Sequence, residues 1–357
     1  MPKVFMFAPA GDSYKVLEAN GCEVQLGKQE WHEPGGNHEP EVAKFAEGAA
    51  ALAGTSMRST PISRRVIEAS PDLRIVAKTT VGVDDVDVDA CTEKGILVTH
   101  APVESNWGNI AEVTVMMMLS MVKGMLVQDS HIKSGGWWTD GSQGGYVGRR
   151  QSDGYGGITL GIIGLGRIGA RVATLMRPWG INILACDPYV PDYRFLEAGA
   201  KPVDLETLLR ESDVVTVHVT LTPETRHMIS TPQFAMMKKT AYFLNTSRGA
   251  AVDESALCDA IEEGMIAGAG LNAFETEPLP EDSPLRRFGD KVILRPHGGT
   301  PPRATGPNAP VGRSPGQATE WVNKDVIKAL HGELPDHIFN QEAIPLWQQR
   351  FGGKSLL

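Results

Sequence analysis

The chain has 357 residues, 22% of them charged and 41% hydrophobic, with a net charge of −9. That length allows two domains with sizeable cores, and the acidic balance argues against nucleic acid, whose binding needs a basic footprint. No apolar run reaches the length of a membrane span; the best, Val113 to Val122, is short.

Met1 to Phe7 reads as a first β-strand rather than a signal peptide, having no long apolar region or cleavage site. Val4–Ala8, Cys22–Leu26, Ala49–Ala53 and Leu73–Ala77 read as strands, with a short helix starting at Pro61. The first 107 residues are therefore α/β, with a parallel sheet. Residues 30–41 read as a surface loop, in which His32 and His38 are too irregularly spaced to suggest a metal site; no metal is expected. Cys22, Cys91, Cys186 and Cys258 are far apart, with no C-x-x-C, which fits reduced thiols in a cytoplasmic protein.

Ile110 to about Ser134 reads as one long helix stopped by Gly135-Gly136, with Met116, Met117 and Met118 as core filler. Gly135 to Gly157 is too long for an ordinary connection and is either functional or an interface arm. Within it, Trp137 and Trp138 either anchor a subunit contact or pack over a sheet edge.

Thr159–Ile163 reads as a strand leading into Gly164-Leu165-Gly166-Arg167-Ile168-Gly169. An amphipathic helix follows, with Ile168, Val172, Leu175 and Met176 on one face. A second strand, Ile181–Cys186, ends on Asp187, 23 positions after the first glycine. A G-x-G-x-x-G placed at the first turn of a βαβ unit has a physical reading. Gly164 permits the tight turn, Gly166 lets the backbone approach a pyrophosphate, and Gly169 lets helix pack on strand. Asp187 can accept hydrogen bonds from a ribose 2′-OH, which favours NAD over NADP. Strands at Val214–Val219, Ala241–Asn245, Ile266–Leu271 and Val292–Leu294, with intervening helices, extend the pattern to a doubly wound sheet of about six strands. Pro301–Pro315 reads as an irregular link before a helix at about Gln317–His331.

Three polar groups follow strand ends, where doubly wound sheets bind ligands. Arg248 can grip a carboxylate through two parallel hydrogen bonds. His297 titrates near neutral pH and can move a proton. Glu277 is a carboxylate which, beside that imidazole, would orient it and favour its charged form.

Together these motifs make the chain resemble the NAD-dependent D-2-hydroxyacid dehydrogenases, the superfamily with phosphoglycerate, D-lactate, glyoxylate and formate dehydrogenases. The likeness runs from about Ile75 to Leu294 and resumes near Val326–Asn340. Val81 to Asp87 resembles the substrate loop, Ile110-Ala111-Glu112 the start of the interdomain helix, and His218 to Thr222 the loop beside the cofactor. Asn245–Gly249, Glu277-Pro278 and Pro296-His297 resemble the catalytic motifs.

The resemblance implies two Rossmann-like or flavodoxin-like domains with doubly wound parallel sheets and an active site in the cleft between them. Residues 1–107 and 303–357 would form the substrate domain and residues 108–302 the NAD-binding domain. Catalysis would fall to Arg248, Glu277 and His297, with Val81 and Gly82 also holding substrate. The cofactor would contact Gly164, Gly166, Arg167, Ile168, Gly169, Asp187, His218, Val219, Thr220, Thr225, Thr246, Ser247, Asn272 and Gly299. The activity implied is interconversion of a 2-oxo acid and a D-2-hydroxy acid in a homodimer, without nucleic-acid or membrane partners. A formate-dehydrogenase-like enzyme and an NAD-sensing corepressor are the rival readings. Glu277 argues against the first, since Gln is expected where no proton moves. Asn272 stands where the family has Asp, Thr220 where it has Pro, and Pro301–Pro315 departs from the usual helix.

Overall fold

The computed structural model describes residues 1–8, 11–28, 31, 38–57, 60–138, 144–298 and 316–357. Two compact units emerge: Met1–Asn106 with Thr300–Leu357, and Trp107–Gly299.

The first unit carries β1 (Lys3–Ala8), β2 (Glu23–Leu26), β3 (Ala49–Gly54), β4 (Ile75–Lys78) and β5 (Leu97–Thr99), all parallel, in the order β2-β1-β3-β4-β5. This is the flavodoxin-like order. Every residue of β3 and β4 is buried, as expected of strands covered on both faces. Phe5, Trp31, Leu52 and Val76 pack on one face. On the other, Val4, Met6 and Ala51 meet Trp347 and the helix Gln317–His331, so the end of the chain completes the core its beginning started.

The second unit carries β6 (Thr159–Ile163), β7 (Asn182–Cys186), β8 (Lys201–Pro202), β9 (Val214–Val217), β10 (Tyr242–Asn245), β11 (Gly268–Leu271) and β12 (Val292–Leu294). They are parallel in the order β12-β11-β10-β9-β6-β7-β8. Counted within the unit this is the dinucleotide-binding order with a seventh strand added at one edge, and the direction of winding reverses at β6. Both sheets are doubly wound and parallel, as the strand–helix alternation predicts. The two-residue β8 and the three-residue β5 escape a pattern reading because they are too short to show a period.

The expected single helix at 110–134 is two helices, α1 (Glu104–Val122) and α2 (Met125–Lys133), bent by 60°. The break falls at Gly124, whose φ of +63° only glycine adopts readily. Of the three methionines, Met117 and Met118 are buried in α1 but Met116 is 50% exposed, because three successive helical positions span too wide an arc to share one face. Trp137 and Trp138 stand out at 84% and 66% exposure, so neither packs over the sheet edge within the chain. Among the described residues, no single helix is long and apolar enough to cross a membrane, and no cluster of three His, Cys, Asp or Glu is placed to hold a metal ion. His32, Gly299 and the Pro301–Pro315 link lie outside the described residues.

Candidate active site

The glycine-rich turn sits at the switch strand. Gly164 follows β6 with φ +90°, and a Cβ there would lie 2.7 Å from the His218 carbonyl oxygen. A Cβ on Gly169 would lie 2.1 Å from the Gly164 carbonyl oxygen, so helix α3 (Arg167–Met176) packs on the turn only because both residues are glycine. At Gly166 the reverse holds: nothing lies within 4 Å of where a Cβ would project. Gly166 is also the N-cap of α3 and makes no side-chain cap. Its open backbone and the first amides of α3, at Arg167 and Ile168, form a cradle of the kind that takes a phosphate anion.

Asp187, at the end of β7, accepts hydrogen bonds from Leu165 N at 2.7 Å and Tyr189 N at 2.9 Å. Its carboxylate is thus fixed beside the glycine turn as well as being chemically suited to a ribose. On the opposite flank of β6, the loop after β9 brings His218 and Val219 over Gly164, with Val219 Cγ1 at 3.2 Å from the Gly164 Cβ position. His218 Nε2 meets Thr216 Oγ1 at 3.0 Å, and burial pushes its imidazole down to about 3, so it is neutral at physiological pH. Thr246 Oγ1 lies 2.9 Å from Thr114 Oγ1 of α1, which ties that helix to the end of β10. Thr225 Oγ1 donates to the Thr220 carbonyl oxygen at 2.6 Å and closes the loop after β9 on itself.

Arg248 follows β10 on a turn that Asn245 organises. Asn245 Nδ2 donates to the Arg248 carbonyl oxygen at 2.8 Å, and its Oδ1 accepts from Ser247 N at 3.0 Å. Arg248 Nη1 donates to the Ser247 carbonyl oxygen at 2.9 Å. Glu277 follows β11 and His297 follows β12; these strands are neighbours. His297 Nδ1 meets Glu277 Oε1 at 2.7 Å, with side chains only 13% and 10% exposed. The same Glu277 oxygen accepts from Phe274 N at 2.9 Å. The His297 turn is gripped twice more. Asn272 Nδ2 donates to the Pro296 carbonyl oxygen at 3.0 Å, and Arg295 Nη1 to that of Gly298 at 2.5 Å. Asn272 Oδ1 is left buried with no hydrogen-bond partner among the described residues. A buried acceptor of that kind is costly unless a donor arrives, and an amide such as the carboxamide of nicotinamide is a suitable donor.

Three adjacent strands thus deliver Arg248, Glu277 and His297, and the switch strand delivers an open anion cradle. The residues fit a dinucleotide. Val81 and Gly82 belong to the other unit: the Val81 carbonyl oxygen receives His100 Nδ1 at 2.9 Å and that of Gly82 accepts from Thr80 Oγ1 at 2.7 Å. Asn245, Arg295 and His100 were not singled out by sequence reasoning. Asn245 had one legible signal, an amide at a strand end two residues before a serine.

Residues 115–299 match the family model described as D-isomer specific 2-hydroxyacid dehydrogenase, NAD binding domain. A glyoxylate reductase from Korarchaeum cryptofilum is 40% identical over 81% of this chain and 82% of its own length. The chain belongs to the D-isomer specific 2-hydroxyacid dehydrogenase family. It is an oxidoreductase, and its cofactor is NAD. A D-3-phosphoglycerate dehydrogenase from Methanocaldococcus jannaschii is 36% identical over 96% of this chain, which spans 59% of that relative. Among solved structures, the D-lactate dehydrogenase of Aquifex aeolicus, complexed with NAD and lactic acid, is 28% identical with a TM-score of 0.72, covering 91% of this chain and 94% of its own.

Proposed function

We propose that the protein interconverts a small 2-oxo acid and its D-2-hydroxy acid, with His297 as general acid and base. The observation that carries this reading is the His297–Glu277 pair at 2.7 Å, shielded from water at the ends of adjacent strands. Held by the Gly166–Ile168 cradle and Asp187, NAD would supply the hydride chemistry at C2 of the substrate. Glu277 occupies Nδ1 of His297, so proton exchange falls to Nε2, which gives its proton to the 2-oxo oxygen in reduction and takes it back in oxidation. Arg248 holds the carboxylate by its planar fork and stabilises charge developing on the carbonyl oxygen. Residues 1–107 and 303–357 are the substrate domain in this reading, with Val81 and Gly82 as its contribution to carboxylate binding. Gly166, Arg167 and Ile168 hold the pyrophosphate, Asp187 the adenosine ribose, and Asn272 Oδ1 the carboxamide.

The same reading includes a two-fold dimer in the cytoplasm. Exposed Met116, Met125, Val127, Ile132 and Trp137 on α1, α2 and the following arm support the dimer, and four free cysteines support a reducing compartment. Sedimentation distinguishes the dimer from a 38.5 kDa monomer. The deciding experiment for the activity is NADH oxidation with a panel of 2-oxo acids, glyoxylate among them, with chiral analysis of the product for those members whose 2-hydroxy acid has a stereocentre. Turnover to the D-hydroxy acid is expected. No turnover with any member, together with tight NADH binding, would replace the enzyme reading by an NAD sensor.

A further inference from the structure

A cluster of charged side chains lies behind the catalytic groups and is not used in the mechanism above. Helix α4 (Glu254–Glu262) starts five residues after Gly249, just beyond the Arg248 turn. Glu275 lies two residues before Glu277. The two glutamates bracket each other's backbone: Glu254 N donates to Glu275 Oε2 at 3.2 Å, and Glu275 N donates to Glu254 Oε2 at 3.1 Å. The other oxygen of Glu275 receives His227 Nε2. His227 also grips the Arg248 turn through its own backbone, with its N–H donating to the Ala250 carbonyl oxygen at 2.8 Å. It does so from φ +50°, the single non-glycine residue with positive φ among those described. A backbone so held costs energy and needs partners that over-determine it.

The bracket acts where two segments meet with no slack. A Cβ on Gly249 would lie 1.9 Å from the carbonyl carbon and oxygen of Phe274. Phe274 N is the donor that holds Glu277 Oε1, and that oxygen holds His297. A movement of the Glu275 backbone would therefore reach the Glu277 carboxylate through one residue and His297 through one hydrogen bond. Arg248 lies next to Gly249 on the facing segment.

We infer that Glu275, with Glu254 and His227, is a positioning residue for catalysis: the reciprocal bracket sets the spacing between the Arg248 turn and the Glu277 loop. This rests on the roles proposed above for Arg248, Glu277 and His297. Glu254 is partly buried, and burial raises its pKa. A carboxylate is kept there against that desolvation cost, although an exposed loop contact would not require one.

The test compares Glu275→Ala, Glu275→Gln and Glu254→Gln in the full-length protein. It follows glyoxylate reduction, the pH profile of kcat/KM, the NADH Kd by fluorescence, and thermal unfolding. Glu275→Ala is expected to lower kcat/KM at least tenfold while the NADH Kd stays within twofold. Its reduction limb should move to lower pH, in the same direction as in Glu277→Gln, because the imidazole loses its aligned carboxylate. Glu275→Gln should recover most of the activity, since its amide oxygen still accepts from Glu254 N. The inference is overturned if Glu275→Ala keeps kcat/KM within twofold, or loses NADH affinity in parallel with activity. It is equally overturned if Tm falls while the pH profile stays put. If Glu275→Ala does not fold, the same pH readout on Glu254→Ala, which removes the opposite acceptor of the bracket, decides, an unmoved limb overturning the inference. Arg248→Ala and Glu277→Gln run as controls. If those keep full activity, the reading of the site itself fails; if they are impaired and Glu275→Ala is not, the bracket alone is wrong.

Discussion

Among the described residues, each unit of the chain carries a well-covered ion pair at the end of a strand, and these two pairs differ in what their chemistry can do. In the first unit, Lys78 at the end of β4 is fully buried. Its Nζ donates to Asp85 Oδ2 at 2.5 Å and to the Thr55 carbonyl oxygen at 2.9 Å. Asp85 also accepts from Met57 N at 2.9 Å. The segment between the partners contains Val81 and Gly82. In the second unit, His297 and Glu277 lie 2.7 Å apart and are nearly as well covered. A lysine whose ammonium donates to a carboxylate and a carbonyl pins a loop. An imidazole paired through one nitrogen keeps a second nitrogen whose proton comes and goes near neutral pH. Burial and pairing are common to both pairs. Of the two, the histidine pair is the one suited to donate and accept a proton, so the choice of cation separates a staple from the acid/base proposed for His297.

The sharpest break of this comparison is to remove each cation in turn. His297→Ala should lower kcat by about two to four decades, the usual worth of a positioned acid or base, with little change in unfolding. Retained activity would mean that the proton comes from elsewhere. Lys78→Met should do the opposite. It leaves Asp85 buried without its cation, at a cost of roughly 3–5 kcal/mol, read as an earlier denaturation of the first unit. The double variant Lys78→Met/Asp85→Leu should regain much of that stability, because an apolar pair of similar volume needs no desolvation. A double variant as unstable as the single one would contradict the staple.

A smaller effect sharpens the catalytic side. Glu277→Gln keeps the shape and removes the charge, so the imidazolium loses its favourable neighbour and the His297 pKa falls. In the proposed mechanism reduction needs the protonated ring and is lost above that pKa. Its limb should move to lower pH by on the order of one unit, and the oxidation limb, which needs the neutral ring, should move with it. Unmoved profiles would refute the coupling. The smallest effect is expected at His218. Burial holds its imidazole near 3, so it carries no charge to lose at working pH. His218→Gln should therefore leave both limbs in place even if it weakens NADH binding through Thr216 and Val219. A displaced limb would mean that His218 titrates in the working range.

Much of this was legible before any fold was known. Continuous apolar runs such as β3 and β4, strand–helix alternation and one glycine fingerprint are local patterns, and they specify a parallel, doubly wound architecture through burial of apolar strands on both faces and backbone sterics at the turn. The same holds for Gly164, whose positive φ is demanded by the turn it makes. The family motifs around Arg248, Glu277 and His297 were legible as types of chemistry at strand ends. Tertiary structure decided what depends on distance across the chain. It broke the long helix at Gly124 and turned Met116 outward. It gave Asp187 two backbone donors, left Asn272 Oδ1 without a partner, and joined His227, Glu254 and Glu275 into a bracket. Those partners are 21 to 48 positions apart in sequence. A linear pattern carries periodicity and residue type, whereas hydrogen bonds and burial arise only when separate strands end side by side.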